Sequence, residues 1–289
     1  MKNQLKLQAH LPAPPATTYR ALTTATEVRA WLAEHADIDL PRDRFEFWGR
    51  HTPQGARGHH RLRHAEPGTR LAFTWTLDDQ PTTVEIDLAP GPRGTTLTLT
   101  QSPLPTLEEL MAPAGRRDGL HTMHTFWPMA LANLNAHLRG RAPLPRCDFS
   151  GSRAPEIRIE LTIDAPPHDV FGSLVDPHRI KQWFGWEPEI EPRLGGRMTF
   201  GADGKIFEFE PGRTLAYGDS EGTVVRWELR DSAGKTHLTF VQSGFAPDEL
   251  DNAAQHEAGW LGGLANLVEL HETGPGWQPP STELPEDEE

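Results

Sequence analysis

Apolar and polar side chains alternate in two separated sets of short segments. The first set opens with Leu5, Leu7 and Ala9 and the second with Ile157, Ile159 and Leu161, each read as a strand with one buried face. Further strands follow in the first set: Leu71, Phe73, Trp75, Leu77; then Val84, Ile86, Leu88; then Leu97, Leu99, Gln101. The second set runs Leu215 and Tyr217; then Val225, Trp227, Leu229; then Leu238, Phe240, Gln242. The residues between them are Thr, Glu, Arg and Asp, so each meander reads as an antiparallel sheet packed on one side and wet on the other. Helical spacing takes over at the end of each set, with Trp127, Leu131, Leu134 and Leu138, then Trp260, Leu264, Leu267 and His271. Short amphipathic helices are predicted after each first strand, where Ala-Pro-Pro ends the strand and Ile180, Trp183 and Phe184 share one face.

The two sets are copies of one another. Glu66–Phe73 reads EPGTRLAF and Glu210–Tyr217 reads EPGRTLAY. Ala13-Pro14-Pro15 matches Ala165-Pro166-Pro167, and Trp31 matches Trp183, at an offset of 152. The offset falls to 144 at the EPG turn, 141 at TLTLTQS/HLTFVQS, and 133 where Trp127 meets Trp260. Chance matches would not stay collinear. Under this alignment Trp75 corresponds to Asp219 and Ile86 to Trp227, so the inward aromatic set differs between the copies. Such a difference either compensates volume or reshapes a cavity.

These matches place a first domain at 1–140, a linker at 141–155 (rich in Pro, Arg and small polar residues), a second domain at 156–274, and an acidic, disordered tail at 275–289. Net charge is −13, and residues 156–275 carry 10 Lys and Arg against 21 Asp and Glu. That field disfavours nucleic acid and anionic membrane as partners. No apolar run reaches membrane-spanning length, and the first residues lack the apolar region of a secretory signal, so the expected location is cytoplasmic. One cysteine, Cys147, excludes an intramolecular disulfide and a cysteine-built zinc site.

A strand, two short helices, a curved antiparallel sheet and a long C-terminal helix make an α+β helix-grip domain, here in tandem. A sheet wrapped around one helix leaves room for a cavity between them. Copy two carries Ala-Pro-Pro with Val170-Phe171, Asp176–Ile180, Trp183-Phe184, Gly195-Gly196-Arg197, the Glu210–Arg213 turn and Gly259-Trp260. In these residues it resembles the START-like (SRPBCC, pollen-allergen-like) superfamily and, within it, the homologues of the ATPase activator of the 90-kDa heat-shock chaperone. Copy one departs from it. It lacks Gly-Gly-Arg, and Pro128 stands where copy two has Leu261, so its long helix either starts near Phe126 or kinks there.

The inward parity of the aromatics makes Trp31, Phe73, Trp75, Trp127, Trp183, Tyr217, Trp227, Phe240 and Trp260 the candidate ligand-binding residues, with ordinary core packing as the plainer reading. His124 and His256, each about one helical turn before its tryptophan, are the acid–base candidates. His121 with His124 would need a third donor, His60 or His64, to hold a metal; no zinc motif is present and no metal or cofactor is expected. Three functions follow: binding of a small hydrophobic or amphipathic molecule, a polyketide aromatase/cyclase-like enzyme using the same cavity, and a co-chaperone-like interaction implied by the resemblance. Binding ranks first, because no feature of the sequence supports catalysis and fold kinship alone does not carry function.

Overall fold

A computed structural model describes residues 4–53, 59–105, 119–149, 154–274, 277–279 and 281–282. It divides into two compact units, residues 1–152 with 280–289, and residues 153–279. The first unit contains β1 (Leu5–Leu11), α1 (Pro15–Thr23), α2 (Ala25–Trp31), β2 (His35–Asp39) and β3 (Arg44–Trp48). It continues with β4 (His60–Glu66), β5 (Arg70–Leu77), β6 (Gln80–Gly91), β7 (Gly94–Ser102) and the long helix α3 (Met123–Leu138). The second unit contains β8 (Ile157–Ile163), α4 (Pro167–Val175), α5 (Pro177–Phe184), β9 (Arg197–Met198) and β10 (Gly204–Glu210). Then come β11 (Thr214–Gly218), β12 (Val224–Ser232), β13 (Lys235–Ser243) and the long helix α6 (Leu250–Thr273). A two-residue strand, β14 (Ser281–Thr282), belongs to the first unit.

Each unit is built on a six-stranded antiparallel sheet, ordered β14-β1-β7-β6-β5-β4 in the first and β8-β13-β12-β11-β10-β9 in the second. The registers show that the sequence offsets are structural equivalences. Leu71 faces Ile86 and Ile86 faces Leu99, while Leu215 faces Trp227 and Trp227 faces Phe240. Both copies also keep the same bulge, between Leu62 and His64 and between Ile206 and Glu208.

Local chemistry explains the short helices. Proline opens α1, α4 and α5, where its missing N–H would have no intrahelical partner in any case. The Asp176 side chain accepts from the His178 and Arg179 backbone N–H groups at the head of α5, and Gly185 closes that helix with φ of 98°. The missing Gly-Gly-Arg of copy one also has an explanation. Ile38 pairs with Phe45 in copy one as Ile190 bridges Met198 in copy two, and Asp43 takes the left-handed conformation there with φ of 53°. Asp is among the few non-glycine residues that tolerate it.

The long helix of copy one starts at Met123, one turn before the later start allowed by the sequence, and runs through Pro128. That proline has no N–H to offer the carbonyl of His124. The linker also differs from expectation. Leu144 N–H donates to Asn133 Oδ1 at 2.9 Å, Phe149 N–H to the Arg50 carbonyl at 2.6 Å, and Cys147 is buried. Residues 144–149 therefore pack on the first unit as a strap; 150–153 lie outside the described residues. In the tail, expected to be disordered from 275, Ser281 and Thr282 pair with Gln8 and Leu7 on the outer edge of β1, since the backbone groups of an edge strand need no particular side chains to find a partner. Residues 283–289 lie outside the described set. No helix among the described residues is long and apolar enough to cross a membrane.

One buried bond ties helix to sheet in each unit. Trp127 Nε1–H donates to Gln101 Oε1 at 2.6 Å, and Trp260 Nε1–H donates to Gln242 Oε1 at 2.6 Å. The short helices repeat a second anchor: Trp31 Nε1–H reaches the Ala21 carbonyl and Trp183 Nε1–H the Ser173 carbonyl, both at 3.0 Å. Replacing Gln242 by Leu strands the Trp260 indole N–H in an apolar interior. A loss of about 1–3 kcal/mol is expected for the second unit, read from urea unfolding of the full chain. Gly204→Ala should cost at least as much, since a Cβ there would lie 1.8 Å from the Gly218 carbonyl oxygen.

Candidate functional site

In the first unit the grip closes on a cluster of rings. His60 and Trp75 are opposite one another across β4 and β5, with ring centroids 5.0 Å apart. The β2–β3 hairpin lies over them: Phe47 is 4.0 Å from His60 and 5.2 Å from Trp75, and Phe45 is 4.9 Å from Phe73. Beneath Trp75 are Phe126 and Trp127 of α3, at 5.5 and 5.8 Å, both edge to face. Such tilted and edge-on contacts are the favoured aromatic geometry.

Polar atoms inside this cluster divide into a satisfied chain and an unsatisfied remainder. The chain runs from Trp127 Nε1–H to Gln101 Oε1, from Gln101 Nε2 to Thr82 Oγ1 at 2.9 Å, and from Thr82 Oγ1 to the Trp75 carbonyl at 2.8 Å. The remainder is Trp75 Nε1 and both ring nitrogens of His60, all shielded from solvent and without a hydrogen-bond partner among the described residues. Burial, with a smaller contribution from the charge of His59, pushes the His60 imidazole down to about 3, so it is neutral near pH 7. A buried polar group left unpaired costs about 1–3 kcal/mol, so three such atoms in one cluster require an explanation.

The second unit fills the same volume differently. Phe200 stands where Phe47 does, Gly204 where His60 does, and Asp219 where Trp75 does. Asp219 accepts from the backbone N–H groups of Glu221 and Thr223, each at 2.9 Å, and so forms a turn at the place where β5 continues as strand. The missing ring volume returns on the neighbouring strand as Trp227, 5.5 Å from Trp260 and 4.6 Å from Phe240. Phe200 stacks parallel to Trp227 at 6.3 Å and meets Trp260 at 4.9 Å. Here the polar atoms are paired: Tyr217 Oη–H donates to the Phe200 carbonyl at 2.5 Å and Trp227 Nε1–H to Tyr217 Oη at 3.4 Å. Complete burial raises the Tyr217 phenol far above its ordinary range, so it serves as a neutral donor and acceptor.

The sequence-derived ligand residues therefore fall into two groups. Phe73, Trp75 and Trp127 meet in the first unit, as do Trp183, Tyr217, Trp227, Phe240 and Trp260 around Phe200 in the second. Trp31 stands aside, against a void of about 10 Å³ bordered by Phe126, Met129, Cys147 and Phe149. That space is about one water molecule. All nine side chains are buried. His60 entered the sequence reading only as a metal donor, although inward alternation with Leu62 marks it as a core-facing residue; Phe45, Phe47, Phe126 and Phe200 were not singled out.

The two acid–base candidates are not equivalent. At the offset that superposes the tryptophans, His256 matches Met123 and His124 matches Glu257. His256 Nδ1 lies 3.3 Å from Gln242 Oε1, the oxygen that already receives the Trp260 indole, and its ring abuts Phe245. Burial lowers the titration of both histidines. His64 pairs with Glu66 at the surface, and among the described residues no three His, Cys, Asp or Glu side chains gather to hold a metal ion.

The neutral His60 sets a pH dependence. An unfolded chain binds a proton at this side chain below about pH 6.5, whereas the folded state resists it down to about 3. Stability is therefore fully present above 6.5 and falls as the pH drops toward 3, by up to about 1.4 kcal/mol per pH unit. His51 and His124, lowered by burial, add the same sign. Urea midpoints between pH 7.5 and 5 should decline, and His60→Phe should make the decline shallower.

Comparison with known proteins identifies the family. The family model described as activator of Hsp90 ATPase homolog 1-like protein matches residues 12–139 and 164–272. No curated protein matches the chain. Among solved structures, MLL2253 from Mesorhizobium loti is 23% identical, covers 47% of this chain and 96% of its own, and has a TM-score of 0.38. DynU16, a putative protein in the dynemicin biosynthetic locus, is 16% identical over 93% of this chain and 99% of its own, with a TM-score of 0.38. The Aha1 dimer from Colwellia psychrerythraea is 20% identical over 42% of this chain and 98% of its own, also at 0.38. With the family model matched once in each unit, the chain belongs to the family of activator of Hsp90 ATPase homolog 1-like proteins, as a tandem helix-grip member.

Proposed function

We propose that the chain binds a small hydrophobic or amphipathic molecule within the grip of its first unit. One observation carries this reading: three polar atoms, Trp75 Nε1 and the two nitrogens of His60, are buried among aromatic rings with no partner among the described residues. The equivalent interior of the second unit has Gly204 and Asp219 at those positions, and its indole and phenol groups are paired. A scaffold under selection for stability alone gains nothing from burying unpaired donors and acceptors. A ligand with its own polar atoms removes that cost when it binds.

Entry is compatible with the topology. Among the described residues β2 and β3 form a two-stranded sheet of their own, outside the six-stranded one. Lifting them carries Phe45 and Phe47 away from His60 and Trp75 without breaking the sheet's ladder.

Native mass spectrometry of the full chain, incubated with lipid and aromatic-polyketide panels, tests the reading. One ligand per chain is expected, with a stability gain of about 2.7 kcal/mol when its concentration is a hundredfold above Kd. No adduct from any panel member would overturn ligand binding, and two per chain would overturn its assignment to the first unit.

A further inference from the structure

The polar atoms of the first unit also specify what kind of molecule would satisfy them. This step rests on the ligand-binding reading above. An indole N–H donates and never accepts, so Trp75 Nε1 requires an acceptor on the ligand. A neutral imidazole offers one donor and one acceptor nitrogen, so His60 accommodates a hydroxyl in either role. The rings around them, Phe45, Phe47, Phe73, Phe126 and Trp127, bring no charge, and the ion pairs of this sheet, such as Arg70 with Glu85, involve partly exposed side chains. An ionised group inside would be desolvated with no counter-charge, which costs far more than an unpaired neutral one.

We infer that His60 and Trp75 are the specificity-determining pair of this site, selecting an uncharged, flat ring molecule whose carbonyl-type oxygen accepts from Trp75 Nε1 while a hydroxyl engages His60. Their ring centroids are 5.0 Å apart, so the two ligand groups lie within about one ring's width of each other. The second unit has neither side chain, and a side chain at Gly204 would collide with the Gly218 carbonyl, so this specificity belongs to the first unit alone.

Four naphthalene probes separate the contributions in equilibrium dialysis with the full chain: 2-acetonaphthone, 2-naphthol, 2-naphthoate and 2-ethylnaphthalene. The ketone and the naphthol should each bind about tenfold more tightly than 2-ethylnaphthalene, as one buried hydrogen bond provides, and 2-naphthoate should bind most weakly. Trp75→Phe should erase the ketone's advantage over 2-ethylnaphthalene, and His60→Phe that of the naphthol, each read as a ratio of affinities within the same variant. A cooperative urea transition of each variant shows that it folds. If 2-naphthoate binds as well as the ketone, or the advantages survive both substitutions, the assigned selectivity is wrong while ligand binding stands. If no probe binds, the assigned selectivity falls, and the mass-spectrometric panel decides separately whether ligand binding falls with it.

Discussion

A single buried hydrogen bond, from a helix tryptophan to a strand glutamine, sets the geometry of each unit. Trp127 to Gln101 and Trp260 to Gln242 have the same length, 2.6 Å, although their sequence surroundings have diverged. A large amphipathic ring inside a grip fold has one polar atom to place, and the glutamine provides an acceptor at one point on the sheet. The glutamine's own amide then needs a partner, which is Thr82 in the first unit and the Gly201 carbonyl in the second. The bond thus fixes both the height at which the long helix crosses the sheet and the neighbours that surround the crossing.

Around that fixed point the two copies distribute similar aromatic volume differently. The first places a tryptophan on β5 and covers it with Phe47; the second ends β11 early and places its tryptophan on β12. Interiors at crystal-like packing density tolerate such exchanges only when lost volume is restored nearby. What the exchange does not conserve is hydrogen bonding. Trp227 finds the Tyr217 hydroxyl, whereas Trp75 faces His60 with neither group paired among the described residues. Two domains with one fold therefore differ in how fully their buried polar atoms are paired.

Much of this was legible in the sequence, and the reason is periodicity. Strand alternation predicted the inward positions of Leu71 through Leu77 and Val225 through Leu229, and each of those inward side chains is buried. Collinear matches identified the duplication, and the registers of both sheets reproduce the offsets residue for residue. The proline-led short helices follow from the local rules on which they were predicted.

Other features depend on partners distant in the chain. His256 and His124 look alike when counted from their tryptophans, yet they occupy different helix positions, and one of them meets Gln242 because the sheet brings it there. Cys147 looks like a linker residue but is buried, because the backbone N–H groups of Leu144 and Phe149 donate to the Asn133 side chain and the Arg50 carbonyl. Whether an indole or an imidazole nitrogen is paired is likewise invisible to periodicity. Side-chain patterning along the chain determined which residues face inward in each copy of this protein. Only the tertiary structure decided which of their polar atoms meet a partner, because a hydrogen bond depends on a position and direction in space that sequence spacing does not encode.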